Sequence, residues 1–292
     1  MIASATEIVH ALGLGEFQVA RSHECDWPVE VADLPVCTRP RFDIAGSSLE
    51  IDRRVKQTLL KEGTLYEVFP SVLNAVAPTH IITQTQCKVC AVSMEDVEHA
   101  VSNSVAGSPE VIACEPNSLD AIFGDIKRIA TRCGHSKRGV DLVEEMQERM
   151  LAIEEQVANA KPVRVACIEW MEPLMAAGNW TPELVKLAGG INLFGEAGRH
   201  SPWMDWGDLV ASKPEVVVLM PWGFGLEKTR EELNWITDRA EFPAAAKWYL
   251  ADGNHFFNRP GPRVVECVQM LAEILHPEVF DPKLEGIAWQ RL

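Results

Sequence analysis

The sequence predicts an α/β protein: two Rossmann-like lobes with mostly parallel sheets, joined by one long α-helix, with a ligand cleft between the lobes. Two observations carry this. From Ser136 to Ala160 the apolar residues fall at Leu142/Val143, Met146, Met150, Ile153 and Val157. That spacing of three and four lays one stripe along a helix, with Glu144, Glu145, Glu148, Arg149, Glu154 and Glu155 on the other side. At about 1.5 Å per residue it would be on the order of 35 Å long. The second observation is that both flanks repeat one unit: helix, proline, apolar strand, a loop rich in functional side chains, helix. Pro78–Cys90 and Pro214–Gly225 are counterparts by position. Alternating strands and helices call for a parallel sheet, with ligands at the carboxyl ends of its strands. The expected units are residues 1–135, a bridging helix over 136–161, and residues 162–292.

In the first unit, Ser4-Ala5-Thr6-Glu7 has the capping-box pattern ahead of Ile8, Val9 and Leu12, and Gly13 ends the helix. An α/β fold expects a strand before this helix, so Met1-Ile2 is either all of that strand or its remnant. Phe17–Ala20 reads as a short strand entering Ser22-His23-Glu24-Cys25-Asp26-Trp27-Pro28, a loop carrying a thiol, an imidazole, carboxylates and an indole. Residues 51–76 read as helical on Val55, Leu59, Leu60, Val72, Leu73 and Val76. Pro78 introduces the strand His80–Thr83, which opens on Gln84–Cys90. A helix around Met94–Val101, a strand at Glu110–Ala113 and a helix from Asn117/Ser118 to Cys133-Gly134 complete the unit. Ser136 is a fair N-cap for the long helix, and Lys161-Pro162 stops it.

In the second unit, Val163–Trp170 is a buried strand, and Thr181–Leu187 a helix closed by Gly189-Gly190. Trp203–Trp206 leads into a short helix ending at Ala211. Glu215–Met220 is an apolar strand that opens on Pro221-Trp222-Gly223-Phe224-Gly225, with a helix from Thr229. Trp248–Leu250 is the last strand, and Asp252–Arg263 a loop before the helix Val264–Leu275.

Composition excludes several classes. Hydrophobic content of 47% and charged content of 24% belong to a globular chain. A net charge of −15 argues against nucleic-acid or anionic-membrane partners, which want a basic face. No apolar run of about 18 residues exists to span a membrane. The start, MIASATEIVHALGLG, lacks the pattern of a secretion signal. A cytoplasmic protein is expected, or a periplasmic one if a leader has been removed, as a monomer or weak dimer. The eight cysteines are scattered through a chain too large to need stapling and read as reduced thiols.

Among motifs, Gly223-Phe-Gly225 follows an apolar strand, but Lys228 stands where a dinucleotide fingerprint needs its third glycine. A flexible turn into a helix explains it better. Cys87-x-x-Cys90 is the sharpest local signal: two thiols at that spacing can share a metal or form a redox pair, or simply be small residues where a strand turns into a helix. His23, Cys25, His200 and His255 are the candidates to complete a metal site, His23 and Cys25 foremost. The nine tryptophans are many beside two tyrosines. Trp27, Trp170, Trp180, Trp203, Trp206 and Trp222 fall in loops. Each can be a packing residue; together they suggest an aromatic-lined site for a large flat ligand. Glu169, Asp205 and His200 could serve as acid and base groups if the scaffold held an enzyme, although their spacing does not demand it.

With these loops placed, the chain resembles the class III periplasmic-binding-protein superfamily, in particular the cobalamin-binding component of ABC importers. The resemblance rests on SATEIVHALGLG with SHECDWPVEVADLP, the mid-chain helix, SPWMDWGDLVASKPEVVVLMPWG, and FFNRPGPRVVECVQMLAEILHP. It implies a non-catalytic protein that holds cobalamin or a related corrinoid or tetrapyrrole, with Trp27, Trp203 and Phe256 as matching aromatic contacts and His255 and Arg259 as polar ones. Trp170, Trp206 and Trp222 join them from the loop set. The resemblance also implies delivery to an ABC permease. Three departures argue against importer docking: no export signal is visible, Ile51–Phe69 has no counterpart, and the docking glutamates fall at or near Ser71 and at Asp208. The QTQCKVCAVS loop is likewise absent from the importer protein and resembles a signal-less bacterial subgroup. The alternative is a metal-binding or metal-delivering protein using Cys87, Cys90, Cys25 and His23, and the third reading is an enzyme.

Overall fold

The computed structural model describes residues 1–85, 97, 108–233 and 245–292. The chain folds as two compact units. The first comprises Met1–Gly46, Glu50–Pro116 and Asp120–Glu144; the second Ser47–Leu49, Asn117–Leu119 and Glu145–Leu292. The change from one to the other falls inside the long helix.

The first unit opens with α1 (Ala3–Ala11), followed by β1 (Thr38–Pro40), α2 (Ser48–Glu62), β2 (Tyr66–Val68), α3 (Pro70–Val76), β3 (His80–Gln84), β4 (Glu110–Cys114) and α4 (Leu119–Arg132). β3 and β4 pair in parallel, while β1 and β2 form an antiparallel pair. The capping box expected at Ser4–Glu7 does not form. Ile2 is the N-cap, and Ser4, Thr6 and Glu7 are buried within the first turns. The strand expected at Phe17–Ala20 is replaced by a 3₁₀ turn at Gly15–Phe17 and a single parallel bridge, Arg21 to Val36.

Residues 51–76 are also not continuously helical. Gly63 closes α2 in the left-handed region, at φ +74°, where only glycine enters without strain. Leu65 and Tyr66 then turn inward to pack with Cys37, Leu73, Ile81 and Val97. Burying those side chains outweighs continuing the helix, and Leu60, counted in the helical stripe, is exposed.

α5 (Ser136–Val157) is the expected long helix, three residues shorter at its C-terminus. Val143, Met146, Met150, Ile153 and Val157 are all buried, as the stripe requires. Ser136 is its first residue, not its cap. Gly139 lets α5 approach α4: a Cβ there would lie 2.5 Å from that of Ala130. The helix expected at Met94–Val101 lies almost wholly outside the described residues, of which Val97 alone belongs to it.

The second unit is built on one sheet in the order β10-β9-β8-β5-β6, with β7 also paired to β5. The strands are β5 (Val163–Trp170), β6 (Met175–Ala176), β7 (Gly190–Asn192), β8 (Val216–Leu219), β9 (Lys247–Ala251) and β10 (Trp289–Arg291). β5, β7, β8 and β9 run parallel, whereas β6 and β10 are antiparallel additions. The helices are α6 (Thr181–Leu187), α7 (Trp206–Ala211), α8 (Leu226–Leu233) and α9 (Val264–Leu275). α8 begins ahead of Thr229, whose hydroxyl and amide both donate to the Gly225 carbonyl, at 2.9 and 3.0 Å. The core packs Ala166, Ile168, Val217, Leu219 and Leu250 from the strands against Met171, Leu209 and Leu233. Among the described residues no helix is long and apolar enough to cross a membrane.

Candidate functional site

The carboxyl ends of the parallel strands β5, β8 and β9 carry the richest loops of the second unit, where this topology places ligands. β5 ends in Glu169 and Trp170, β8 runs out into Pro221–Gly225, and β9 into Asp252–Asn258. Backbone hydrogen bonds tie the three together. The Trp222 amide donates to the Glu169 carbonyl at 3.1 Å, and the Asn254 amide to the Phe224 carbonyl at 3.2 Å. The Asn258 side chain donates to the Pro221 carbonyl at 3.3 Å. Gly253 permits this closeness: a Cβ there would sit 2.2 Å from the Pro221 oxygen.

Aromatic groups gather on this frame. The Trp170 and Phe224 rings lie 5.4 Å apart and tilted by 55°, a spacing at which their quadrupoles attract. Lys228 covers the Phe224 ring at 4.3 Å, and Arg263 the Phe256 ring at 4.9 Å. After β9, the chain makes one π-helical turn, Gly253–Phe257, capped by Asp252. Asp252 accepts from the His255 amide and from its Nδ1–H, each at 2.8 Å. A carboxylate can only accept, so the pair holds the imidazole in one orientation.

Beneath the loops Glu169 is buried. The Ser201 hydroxyl donates to its Oε2 at 2.8 Å, and the Gly178 amide donates to that hydroxyl at 3.1 Å. Burial pushes the carboxyl up to about 7, against the hydrogen bonds of Ser201 and Trp222 and the charge of His200, which lower it.

Comparison with known proteins decides what this scaffold is. The model of the periplasmic binding protein family matches residues 3–246. The chain belongs to the periplasmic binding protein family. A vitamin B12-binding protein of Yersinia pestis (strain Pestoides F) is 22% identical over 161 residues, 54% of this chain and 55% of that one. A vitamin B12-binding protein of Yersinia pseudotuberculosis serotype O:1b matches to the same extent. The chain thus spans about half the length of the curated relatives it matches. Solved structures match over nearly all of it. A periplasmic haem-binding protein from Roseiflexus sp. RS-1 gives a TM-score of 0.69 at 21% identity, covering 96% of this chain and 97% of that one. One from Pseudomonas aeruginosa gives 0.73 at 16%, covering 99% and 95%. The vitamin B12-binding protein of Vibrio cholerae gives 0.64 at 18%, covering 95% of each. These likenesses are of fold.

In this chain the residues singled out in the sequence fall into separate groups. Trp170, Trp222, His255 and Phe256 belong to the three tied loops. Trp203, 56% exposed, bridges to Met175 of β6 in the segment that brings Ser201 to Glu169. Trp206 is a correction. It is 6% exposed and packs in the core with Ile168 and Leu209, so its faces are taken by protein. Trp180 is likewise buried. Arg259, 4% exposed, donates through Nε to the Asn254 carbonyl at 2.8 Å and so shapes the loop from within.

In the first unit, Trp27 is 49% exposed. His23 and Cys25 are turned to neighbours. The His23 Nδ1 lies 2.8 Å from the Thr38 hydroxyl, its ring 5.5 Å from that of Tyr66. Burial, with the charge of Arg21 assisting, brings His23 down to about 4. Cys25 is buried and accepts from the Thr6 hydroxyl at 3.1 Å. Cys87 and Cys90 lie outside the described residues, and among those described no three His, Cys, Asp or Glu side chains gather to hold a metal. Of the acid–base candidates, Asp205 is spent on the capping box of α7 with Asp208, and the His200 Nδ1 lies 3.0 Å from the Ser201 carbonyl.

Sequence reasoning passes over Ser201, Asp252 and Phe224. Phe224 carried a signal, since it stands in the same strand-end loop as Trp222. Asp252 carried one too, as an acidic residue directly after a strand and three before a histidine. Ser201 had none, because its partner Glu169 is remote in sequence.

Proposed function

We propose that this chain is a non-catalytic binding protein for cobalamin or a related corrinoid or tetrapyrrole, held by the aromatic side chains at the carboxyl edge of the second unit's sheet. The observation that carries the reading is the set Trp170, Trp222 and Phe256, drawn from three strand ends, locked by backbone hydrogen bonds and backed by the buried Phe224 ring against Trp170. A large flat macrocycle needs broad apolar faces more than many polar anchors. The names of the relatives add support, because they are of proteins that bind vitamin B12 and haem. His255, oriented by Asp252, supplies a polar contact beside those faces. Delivery to an ABC permease is the matching partner. Asp208, one of the two positions where docking carboxylates would fall, serves the cap of α7 in this chain.

The test is titration of the purified protein with cobalamin, cobinamide and haem, followed by absorption and calorimetry. A visible-band shift with saturable heat for at least one of them is expected. Neither signal with any of the three ends the proposal.

A further inference from the structure

Three loops of the second unit bring donors to the buried Glu169 carboxyl: the Ser201 hydroxyl, the Trp222 indole and the Gly178 amide. A hydroxyl has one proton and two lone pairs. Both lone pairs of Ser201 are used, by the Gly178 amide at 3.1 Å and by Asn179 Nδ2 at 3.4 Å. Its proton therefore goes to Glu169 Oε2, at 2.8 Å. An indole N–H and a backbone amide can only donate. A carboxylate satisfies such donors, whereas a protonated carboxyl adds a donor of its own and accepts at one position fewer.

These donors are not equally free to leave. The Ala176 amide donates to the Pro202 carbonyl at 3.0 Å, and a Cβ on Gly178 would lie 2.7 Å from the Ser201 nitrogen. Ser201 and Gly178 are thus fixed by their backbones. Trp222 is tied to β5 through its amide, which donates to the Glu169 carbonyl at 3.1 Å. Its side chain is only half-buried and can exchange the carboxyl for water by a change of rotamer. Other titratable groups bear on the carboxyl as well. Cys167, two residues back on β5, is pushed up to about 12 by burial and then by the charge of Glu169, so it stays neutral. The charge of His200 favours the carboxylate, but burial outweighs it and lifts Glu169 to about 7.

We propose that Glu169 is the positioning residue of the binding edge: its ionised carboxyl holds the Trp222 indole in the orientation that meets the macrocycle, and uptake of a proton there frees the ring and weakens the ligand's hold. This rests on the binding function proposed above and adds a control to it. The backbone ties among the loops persist in both forms, and only the ring changes its partner. Affinity is full while Glu169 is ionised and falls as pH drops through its titration, because the competent form is then a shrinking fraction of the protein.

The experiment titrates the wild type, Glu169→Gln and Trp222→Phe with cyanocobalamin and with haem at pH 5 and pH 8, by calorimetry. NMR of the ligand-free protein follows the Trp222 indole N–H signal, assigned through Trp222→Phe. In the wild type, Kd for the macrocycle that binds should rise at least about tenfold from pH 8 to pH 5, and the indole signal should shift over the same range. Glutamine accepts with its oxygen and donates with its nitrogen, as a protonated carboxyl does. Glu169→Gln should therefore bind at least about tenfold more weakly than the wild type at pH 8, with little pH dependence and a static indole signal. It keeps His200 and His255, so any pH dependence that survives in it belongs to them. Trp222→Phe keeps an aromatic face without the N–H and should lose most of the pH dependence. A Glu169→Gln chain that binds as tightly as the wild type at pH 8, or follows its pH dependence, overturns the proposal, as does an indole signal that stays fixed in the wild type. If neither macrocycle binds while the indole titrates in the wild type and not in Glu169→Gln, the hold of Glu169 on Trp222 stands and the macrocycle reading falls.

Discussion

Glu169→Gln isolates the cost of burying a carboxyl at the base of the site. An ordinary glutamate titrates at 4.5, and burial takes Glu169 to about 7. The folded state therefore holds the proton more tightly than the unfolded chain. Its stabilising effect is complete below pH 4.5 and is lost as pH rises through about 7. Integrated between pH 5 and pH 8, this amounts to roughly 2–3 kcal/mol for the wild type. Glutamine carries no charge, and its carbonyl oxygen can still accept from the Ser201 hydroxyl. The variant should match the wild type within about 1 kcal/mol at pH 5 and exceed its stability by about 1–3 kcal/mol at pH 8. Urea unfolding followed by tryptophan emission is the assay, because every tryptophan except Trp27 lies beyond residue 144 and reports on the second unit. A difference between variant and wild type that stays constant from pH 5 to pH 8 would refute the reasoning.

Other perturbations separate the site from its supports. Trp206→Ala should cost about 3–5 kcal/mol of stability, whereas Trp203→Ala should change stability by under about 0.5 kcal/mol yet weaken binding of the macrocycle about tenfold; calorimetry and urea unfolding read both. Gly253→Ala should lose about 1–3 kcal/mol or more through overpacking against the Pro221 carbonyl, while Gly225→Ala, whose added methyl would meet nothing nearer than Asp252 Oδ2 at 3.8 Å, should be nearly neutral by the same melt. In the first unit His23 is lowered from 6.5 to about 4, so its neutral burial stabilises above pH 6.5 and is lost as pH falls through 4. His23→Gln should flatten that acid loss, read from amide exchange of β1 and β3 at pH 7 and pH 4.5.

The parts of the fold legible in the sequence are those where one element decides its own burial. α5 shows its stripe because a helix buries one face whatever its neighbours, and α9 shows as an apolar run because it is buried nearly all round. β5 and β8 announce themselves because a strand covered on both sides must be apolar throughout. The parts that were not legible depend on remote partners. β2 is only Tyr66–Val68, and it exists because Thr38–Pro40 lies alongside. β6, β7 and β10 are shorter still in signal, each a few residues held by a neighbour already in place. The same division runs through the site. The aromatic wealth of the loops was visible, but which rings pack inward was not, and Trp180 and Trp206 proved to be core. Glu169 stands out in the sequence as a possible acid. Its actual environment, under Ser201, follows from a contact that no local spacing encodes.

That environment bears on how a ligand would be met. The loops after β5, β8 and β9 are tied by main-chain hydrogen bonds and by the close approach at Gly253, none of which needs a ligand to form. The Glu169 carboxyl is already out of water, and His255 is already oriented by Asp252. The ordering of backbone that usually opposes association has thus been met within the second unit by folding itself. A bound macrocycle should then leave exchange at the Trp222 and Asn254 amides nearly as slow as before, with its effects confined to side chains on the loop surface. If those two amides exchanged freely in the absence of ligand and became protected with it, the loops would instead be shaped by the ligand, and the edge would not be preorganised at all.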